Sequence, residues 1–96
     1  MQIALVIGSA VATIKDEQLH GRKLLLVRMA DAAGEPVGEA QVAVDTVGAG
    51  TGELVIVTAG SSAQRTPQTA NAPVDLAIVG VLDSLEVNGR MTYRKT

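Results

Sequence analysis

The chain has 96 residues, a formal net charge of −2, a hydrophobic fraction of 47% and no cysteine. This length fits one domain over residues 1–96, and the missing cysteines exclude a disulfide framework and a cysteine zinc site. The slightly negative charge does not attract phosphates over the whole surface. Residues 1–12 are apolar, but they lack a basic start and are too short to span a bilayer. We therefore expect a cytoplasmic protein that does not bind membranes.

The core of this protein must form almost without aromatic side chains, because Tyr93 is the sole aromatic residue. Aromatic side chains usually supply much of the area that a small domain buries. Here valine, isoleucine, leucine and alanine must supply it instead. A chain of this size is only marginally stable. We therefore expect each copy to bury further apolar surface against other copies.

Short apolar runs separated by turn residues dominate the chain and predict an all-β fold. The run at 31–36 (DAAGEP) has the chemistry of a turn, and Gly80 inside the last predicted strand suggests a bend, a bulge or a close backbone approach. Short strands at near-regular spacing are typical of a small barrel. The five predicted strands span residues 2–11, 23–29, 41–45, 54–58 and 76–82.

Two segments between the strands carry glycine or small polar residues. Residues 47–52 (VGAGTG) contain three glycines and predict a tightly shaped loop. Residues 60–65 (GSSAQR) predict a short helix in which Ser61 or Ser62 acts as the N-cap. Residues 66–73 are polar and flanked by proline, which indicates an exposed loop.

The C-terminal tail contains the strongest turn signal in the sequence. Asn88 and Gly89 separate two short strand-like runs, and both residue types tolerate the positive φ angles of a tight hairpin turn. We expect a core barrel over about residues 1–85 and a C-terminal hairpin arm over about residues 86–96.

No set of residues predicts catalysis, a cofactor or a metal. The glycine run lacks the lysine and the following helix of a phosphate-binding loop. His20 is the single histidine, so a zinc site would lack further nitrogen or sulfur ligands. The serines at 61–62 have no base nearby in sequence and no nucleophile motif. The acidic residues at strand ends, Asp45, Asp75 and Asp83, more often bind backbone amides or pair with arginine than transfer protons.

A binding module for single-stranded nucleic acid or another ligand is the alternative function. Small five-stranded barrels often bind single strands through aromatic stacking and a basic groove. This chain has one aromatic residue, and its clustered basic residues are Arg90, Arg94 and Lys95 on the predicted arm. The sequence therefore does not favour nucleic acid as a partner.

Five ordered sequence blocks resemble the pentameric vertex proteins of bacterial microcompartments, the EutN/CcmL family. The similarity covers nearly the whole chain, with one departure: Gln64 stands before Arg65 where the family commonly has arginine. A contact made by that arginine would be shifted or lost here. The blocks are the opening strand through Gly8 with residues 12–13, and then residues 21–27, 42–53, 60–63 and 73–80.

The resemblance implies a five-stranded OB-like barrel, similar in its tail to the ethanolamine-utilisation branch, and a structural protein that is not an enzyme. It implies homopentamers that cap the vertices of a microcompartment shell, next to hexameric shell proteins. A five-fold ring is a closed heterologous assembly, in which close approach at the axis favours small residues. We therefore expect axis and subunit contacts from two glycine-containing segments, and an inter-subunit contact from the arm. The candidate residues are Thr46, Val47, Gly48, Ala49, Gly50, Gly60, Ser61, Ser62 and Ala63 in the segments, and Met91, Tyr93 and Arg94 in the arm.

Overall fold

The computed structural model describes residues 1–17, 19, 21–66 and 74–96. His20 and all but the first residue of the predicted loop at 66–73 lie outside the described residues. In chain order the elements are β1 (Gln2–Ala10), β2 (Leu24–Ala30), β3 (Pro36–Asp45), β4 (Leu54–Ala59), a 3₁₀ helix (Gly60–Gln64), β5 (Leu76–Val81), β6 (Ser84–Val87) and β7 (Arg90–Arg94).

Strands β1 to β5 form a closed barrel in the order β1-β2-β3-β5-β4. Four of the five seams are antiparallel, and β3 and β5 form the parallel seam through the pairs Val44–Ala77 and Asp45–Ile78. Strands β6 and β7 form a separate two-stranded sheet. The predicted all-β class, the five-stranded barrel, the short helix and the C-terminal hairpin are therefore confirmed.

The barrel interior is filled by aliphatic side chains, as the composition requires. A smaller cluster brings the end of β3 and the start of β5 against the 3₁₀ helix; its members are Val44, Ala63, Val74 and Ala77. The main cluster lies inside the barrel and consists of Ala4, Val6, Leu25, Val27, Ala43, Ala49, Val55, Val57, Leu76 and Ile78.

The boundaries of the five barrel strands lie within one residue of the prediction except at the start of β3. Strand β1 ends at Ala10, and the side chain of Val11 is 99% exposed. Strand β3 begins at Pro36, five residues earlier than predicted, because Ala30 of β2 pairs with Pro36. Proline and glycine disfavour strands locally, so this part of β3 depends on its pairing with β2.

The predicted bulge and both predicted turns are confirmed. Gly80 pairs with Ile56 and Ile78 with Val57, so β5 carries one extra residue between them. In the turn that joins β2 to β3, Oδ1 of Asp31 accepts hydrogen bonds from backbone amides, and Gly34 has a φ of 84°. In the arm, Asn88 and Gly89 have φ angles of 54° and 78°, as a tight hairpin turn requires.

Candidate subunit interface

The loop over residues 46–52, here called the glycine loop, is organised by a buried carboxylate at its root. The side chain of Asp45 is 2% exposed. Its Oδ1 accepts hydrogen bonds from the amides of Val47 at 3.0 Å and Gly48 at 3.1 Å, and its Oδ2 accepts one from the amide of Ala49 at 3.0 Å. Three consecutive backbone donors converge on one anion, which fixes the first half of the loop.

Further contacts tie the glycine loop to the barrel. The hydroxyl of Thr46 donates to the carbonyl of Ile78 at 2.6 Å. The ammonium of Lys23 donates to the carbonyl of Ala49 at 2.9 Å and lies 4.0 Å from Oδ2 of Asp45. At the far end, the amide of Gly52 donates to the carbonyl of Val6 at 2.8 Å. These contacts hold the glycine loop in one defined conformation against the barrel.

The glycines of this loop serve different purposes. Gly48 and Gly52 have φ angles of 80° and 92°, so a side chain at either position would strain the backbone. Gly50 has no such φ, and an added Cβ would lie 3.6 Å from Oε1 of Glu53, an ordinary contact. Within one chain, local geometry does not require glycine at position 50.

The candidate residues of the glycine loop differ in accessibility. Val47 is 42% exposed, and Thr46, Gly48 and Gly50 also lie at least partly open to solvent. Ala49 is buried in the main core cluster. A contact from Ala49 to another copy would therefore involve its main chain, not its methyl group.

The second candidate segment contains a five-residue 3₁₀ helix that packs on β4 and β5. Its amide at Gly60 donates to the carbonyl of Asp75 at 2.9 Å, and Gly60 has a φ of 63°. Ser61 and Ser62 are exposed, whereas Ala63 is buried. Ala63 shares the smaller cluster with Val44, which precedes Asp45, so this helix and the root of the glycine loop pack into one cluster.

The prediction that Ser61 or Ser62 caps this helix is wrong. The N-cap position is Ala59, and no side chain caps the helix start. A 3₁₀ segment of this length follows directly from β4, so both serines fall inside the helix. Their exposed hydroxyls are available to solvent or to another copy.

The arm is fastened to its own barrel at three places. The hydroxyl of Thr92 donates to the carbonyl of Ala32 at 2.6 Å, and the ring of Tyr93 lies beside Gly34 in the turn between β2 and β3. The ammonium of Lys95 forms an ion pair with Oε2 of Glu53 at 2.9 Å. Tyr93 is therefore half-buried within its own chain.

The other two candidate residues of the arm are open to contact. Met91 is 47% exposed and Arg94 is exposed.

Glu53 is a functional candidate that sequence reasoning missed. Its Oε1 accepts a hydrogen bond from the amide of Gly50 at 2.6 Å while its Oε2 pairs with Lys95. Lys95, and after it the Gly50 amide, hold the pKa of Glu53 below its usual value. The same pair raises the pKa of Lys95. No local pattern links residues so far apart in sequence, so the contact becomes visible only in the folded chain.

The described residues contain no group of acidic or histidine side chains placed to hold a metal ion. Among them, every buried side-chain nitrogen or oxygen has a hydrogen-bond partner. No helix within the described part of the chain is long and apolar enough to cross a membrane.

The fold and these segments define a small closed β-barrel whose distinctive surfaces are a pinned glycine loop and a projecting arm. The family model described as "Ethanolamine utilisation protein EutN/carboxysome" matches residues 1–83. The chain belongs to this EutN/CcmL family, as the sequence blocks predicted.

Similar proteins cover nearly the whole chain. The microcompartment shell vertex protein EutN of Salmonella typhimurium is 41% identical over 95 residues, covering 99% of this chain and 96% of that protein. The structure of Gloeobacter violaceus CcmL has a TM-score of 0.91 at 38% identity and covers 99% of this chain and 98% of that one. The pentameric shell protein GrpN of Rhodospirillum rubrum has a TM-score of 0.81 at 46% identity, covering 91% and 99%.

Proposed function

We propose that this chain is a structural shell subunit that forms homopentamers and caps the vertices of a bacterial microcompartment in the cytoplasm. The observation that carries the proposal is the match, over nearly its full length, to proteins described as shell vertex proteins. A relative with 46% identity and the same fold is described as pentameric. A role without catalysis agrees with the role described for these relatives.

The surface of a single copy supports assembly. Val37 is 66% exposed, and Val42, Val47 and Met91 are exposed as well. In β1, Ala4 and Val6 are buried while Leu5 and Ile7 on the alternating set remain partly accessible. Burying such side chains against another copy is favourable by about 25 cal/mol per Å² of apolar area.

Hexameric shell proteins are the proposed partners of the pentamer. A vertex cap closes a shell whose facets are made by other subunits, so its rim must meet those subunits. The glycine loop, the 3₁₀ helix and the arm are the proposed contacts between copies of this chain.

The alternative, a binding module for single-stranded nucleic acid or another ligand, has less support. Stacking needs aromatic faces open to bases. Tyr93, the sole aromatic residue, is half-buried with its ring beside Gly34 of its own chain.

Native mass in solution tests the proposal. We expect a species of five times the 9.9 kDa chain mass that persists on dilution. A second assay mixes the protein with hexameric shell proteins and images the products; closed shells should require this chain. A stable monomer that binds single-stranded DNA would overturn the proposal.

A further inference from the structure

Glu53 links two segments that the proposed assembly uses separately. Its Oε1 accepts the Gly50 amide of the glycine loop, and its Oε2 pairs with the Lys95 ammonium of the arm. We propose that Glu53 is a positioning residue that couples the arm to the glycine loop, so that attachment of the arm sets the shape of the loop.

On the loop side, Glu53 completes a series of backbone contacts. The amides of residues 47, 48 and 49 donate to Asp45, and the next amide, that of Gly50, donates to Glu53. Four consecutive amides are thus divided between a carboxylate at the root of the loop and one at its end. Asp45 is buried and held by Lys23, whereas Glu53 lies nearer to solvent, where its position depends on its partners.

On the arm side, the position of Lys95 is fixed by its backbone. The Lys95 amide donates to the carbonyl of Asp83 at 2.8 Å, at the base of the hairpin. The folded arm therefore places the Lys95 ammonium next to Glu53. The titratable groups facing this pair are Lys23 beside Glu53, and Asp83 and Tyr93 beside Lys95.

The consequence for assembly rests on the proposed function. A neighbouring copy that contacts the arm would affect the conformation of the glycine loop through Lys95 and Glu53. A contact at the loop would affect the arm through the same two residues. Such coupling is reciprocal, because each contact changes the free energy of the other by the same amount. A ring in which both contacts form together would close more cooperatively than one with independent contacts.

The experiment follows the Gly50 amide by NMR in the assembled, isotope-labelled protein during an acid titration. In the wild-type protein its chemical shift should follow the Glu53 carboxylate with a midpoint below 4.5, the usual pKa of that group. Lys95→Met should move this midpoint upward towards 4.5, although Lys95 is not the hydrogen-bond partner of Gly50. Lys15→Met, the matched control, removes an exposed cation outside the candidate contact segments and should leave the midpoint unchanged. Glu53→Gln should abolish the titration.

A second measurement avoids acid. At neutral pH, hydrogen exchange at the Gly50 amide should be several-fold faster in Lys95→Met than in the wild-type protein or Lys15→Met. A midpoint and an exchange rate unchanged by Lys95→Met would overturn the coupling, whatever the native mass. A monomeric wild-type protein with the expected Gly50 response would instead count against the pentamer alone.

Discussion

Gly34 lies directly over Leu54. A Cβ added to Gly34 would stand 2.7 Å from Cδ1 of Leu54 and 3.8 Å from Cδ1 of Tyr93. Leu54 is 1% exposed although it begins β4 outside the two core clusters. The absence of a side chain at position 34 thus allows the turn before β3 to pack against Leu54, with the ring of Tyr93 beside the turn.

Replacing Gly34 by alanine should destabilise the protein by about 2–4 kcal/mol. About 1–2 kcal/mol comes from an L residue in the left-handed region, and the remainder from overpacking against Leu54. Gly21→Ala is the matched control, because Gly21 has a φ of 80° and, among the described residues, nothing lies within 4 Å of an added Cβ. Urea unfolding at a fixed protein concentration measures both, and equal losses would contradict the role of the Leu54 contact.

Asp45→Asn should weaken the protein by about 2 kcal/mol, because hydrogen bonds to a charged acceptor contribute about 1.5–3 kcal/mol. Both oxygens of Asp45 accept amides, so an asparagine NH₂ group would face a donor. Asp31→Asn is the control: Asp31 accepts two amides through Oδ1 alone, which asparagine retains. We expect a loss of less than about 0.5 kcal/mol there, measured by urea unfolding. A similar loss in both variants would argue against the two-oxygen account.

The strands of the barrel and the hairpin turn could be predicted from the sequence because each depends on a short, local pattern of residues. An apolar run indicates a strand, and the Asn88–Gly89 pair indicates a tight hairpin turn. The first half of β3 was missed because Pro36 and Gly38 disfavour a strand until β2 pairs with it. The ion pair between Glu53 and Lys95 was missed because it depends on how the arm folds back, which no periodicity encodes.

Gly50→Arg should prevent formation of the full ring while leaving the single chain folded. Position 50 has an ordinary φ and room for a Cβ, so the expected damage comes from contact with other copies. Native mass spectrometry should detect species smaller than five chains, and Gly50→Ala should keep the wild-type mass. An arginine variant with unchanged mass and melting temperature would place the glycine loop away from the subunit contacts.

Deleting residues 86–96 should lower the fraction of assembled protein, because an isolated hairpin has little stability and its exposed face needs a partner. The deletion also removes the Tyr93 ring beside Gly34 and the ion pair of Lys95 with Glu53, so some loss of stability is expected within each chain. Tyr93→Ala separates the two effects, since it removes the ring beside Gly34 but keeps the arm. Analytical ultracentrifugation should show weaker assembly for the deletion than for Tyr93→Ala. A deletion variant that remains fully pentameric would remove the arm from the interface.

The ion pair between Glu53 and Lys95 predicts how the stability difference between wild-type protein and Lys95→Met depends on pH. The pKa of Glu53 is lowered in the folded chain, so its contribution is present above 4.5 and is lost as pH falls through the lower folded value. The pKa of Lys95 is raised, so its contribution is present below 10.5 and is lost as pH rises through the higher folded value.

The difference in melting temperature between these two proteins should therefore be largest between about pH 5 and pH 10 and should shrink at both ends. It should also shrink in 1 M salt, where the screening length is about 3 Å. Lys15→Met, measured in parallel, is the control for the loss of one positive charge. A difference that is constant across pH and salt would assign the effect of Lys95 to its aliphatic stem instead of its charge.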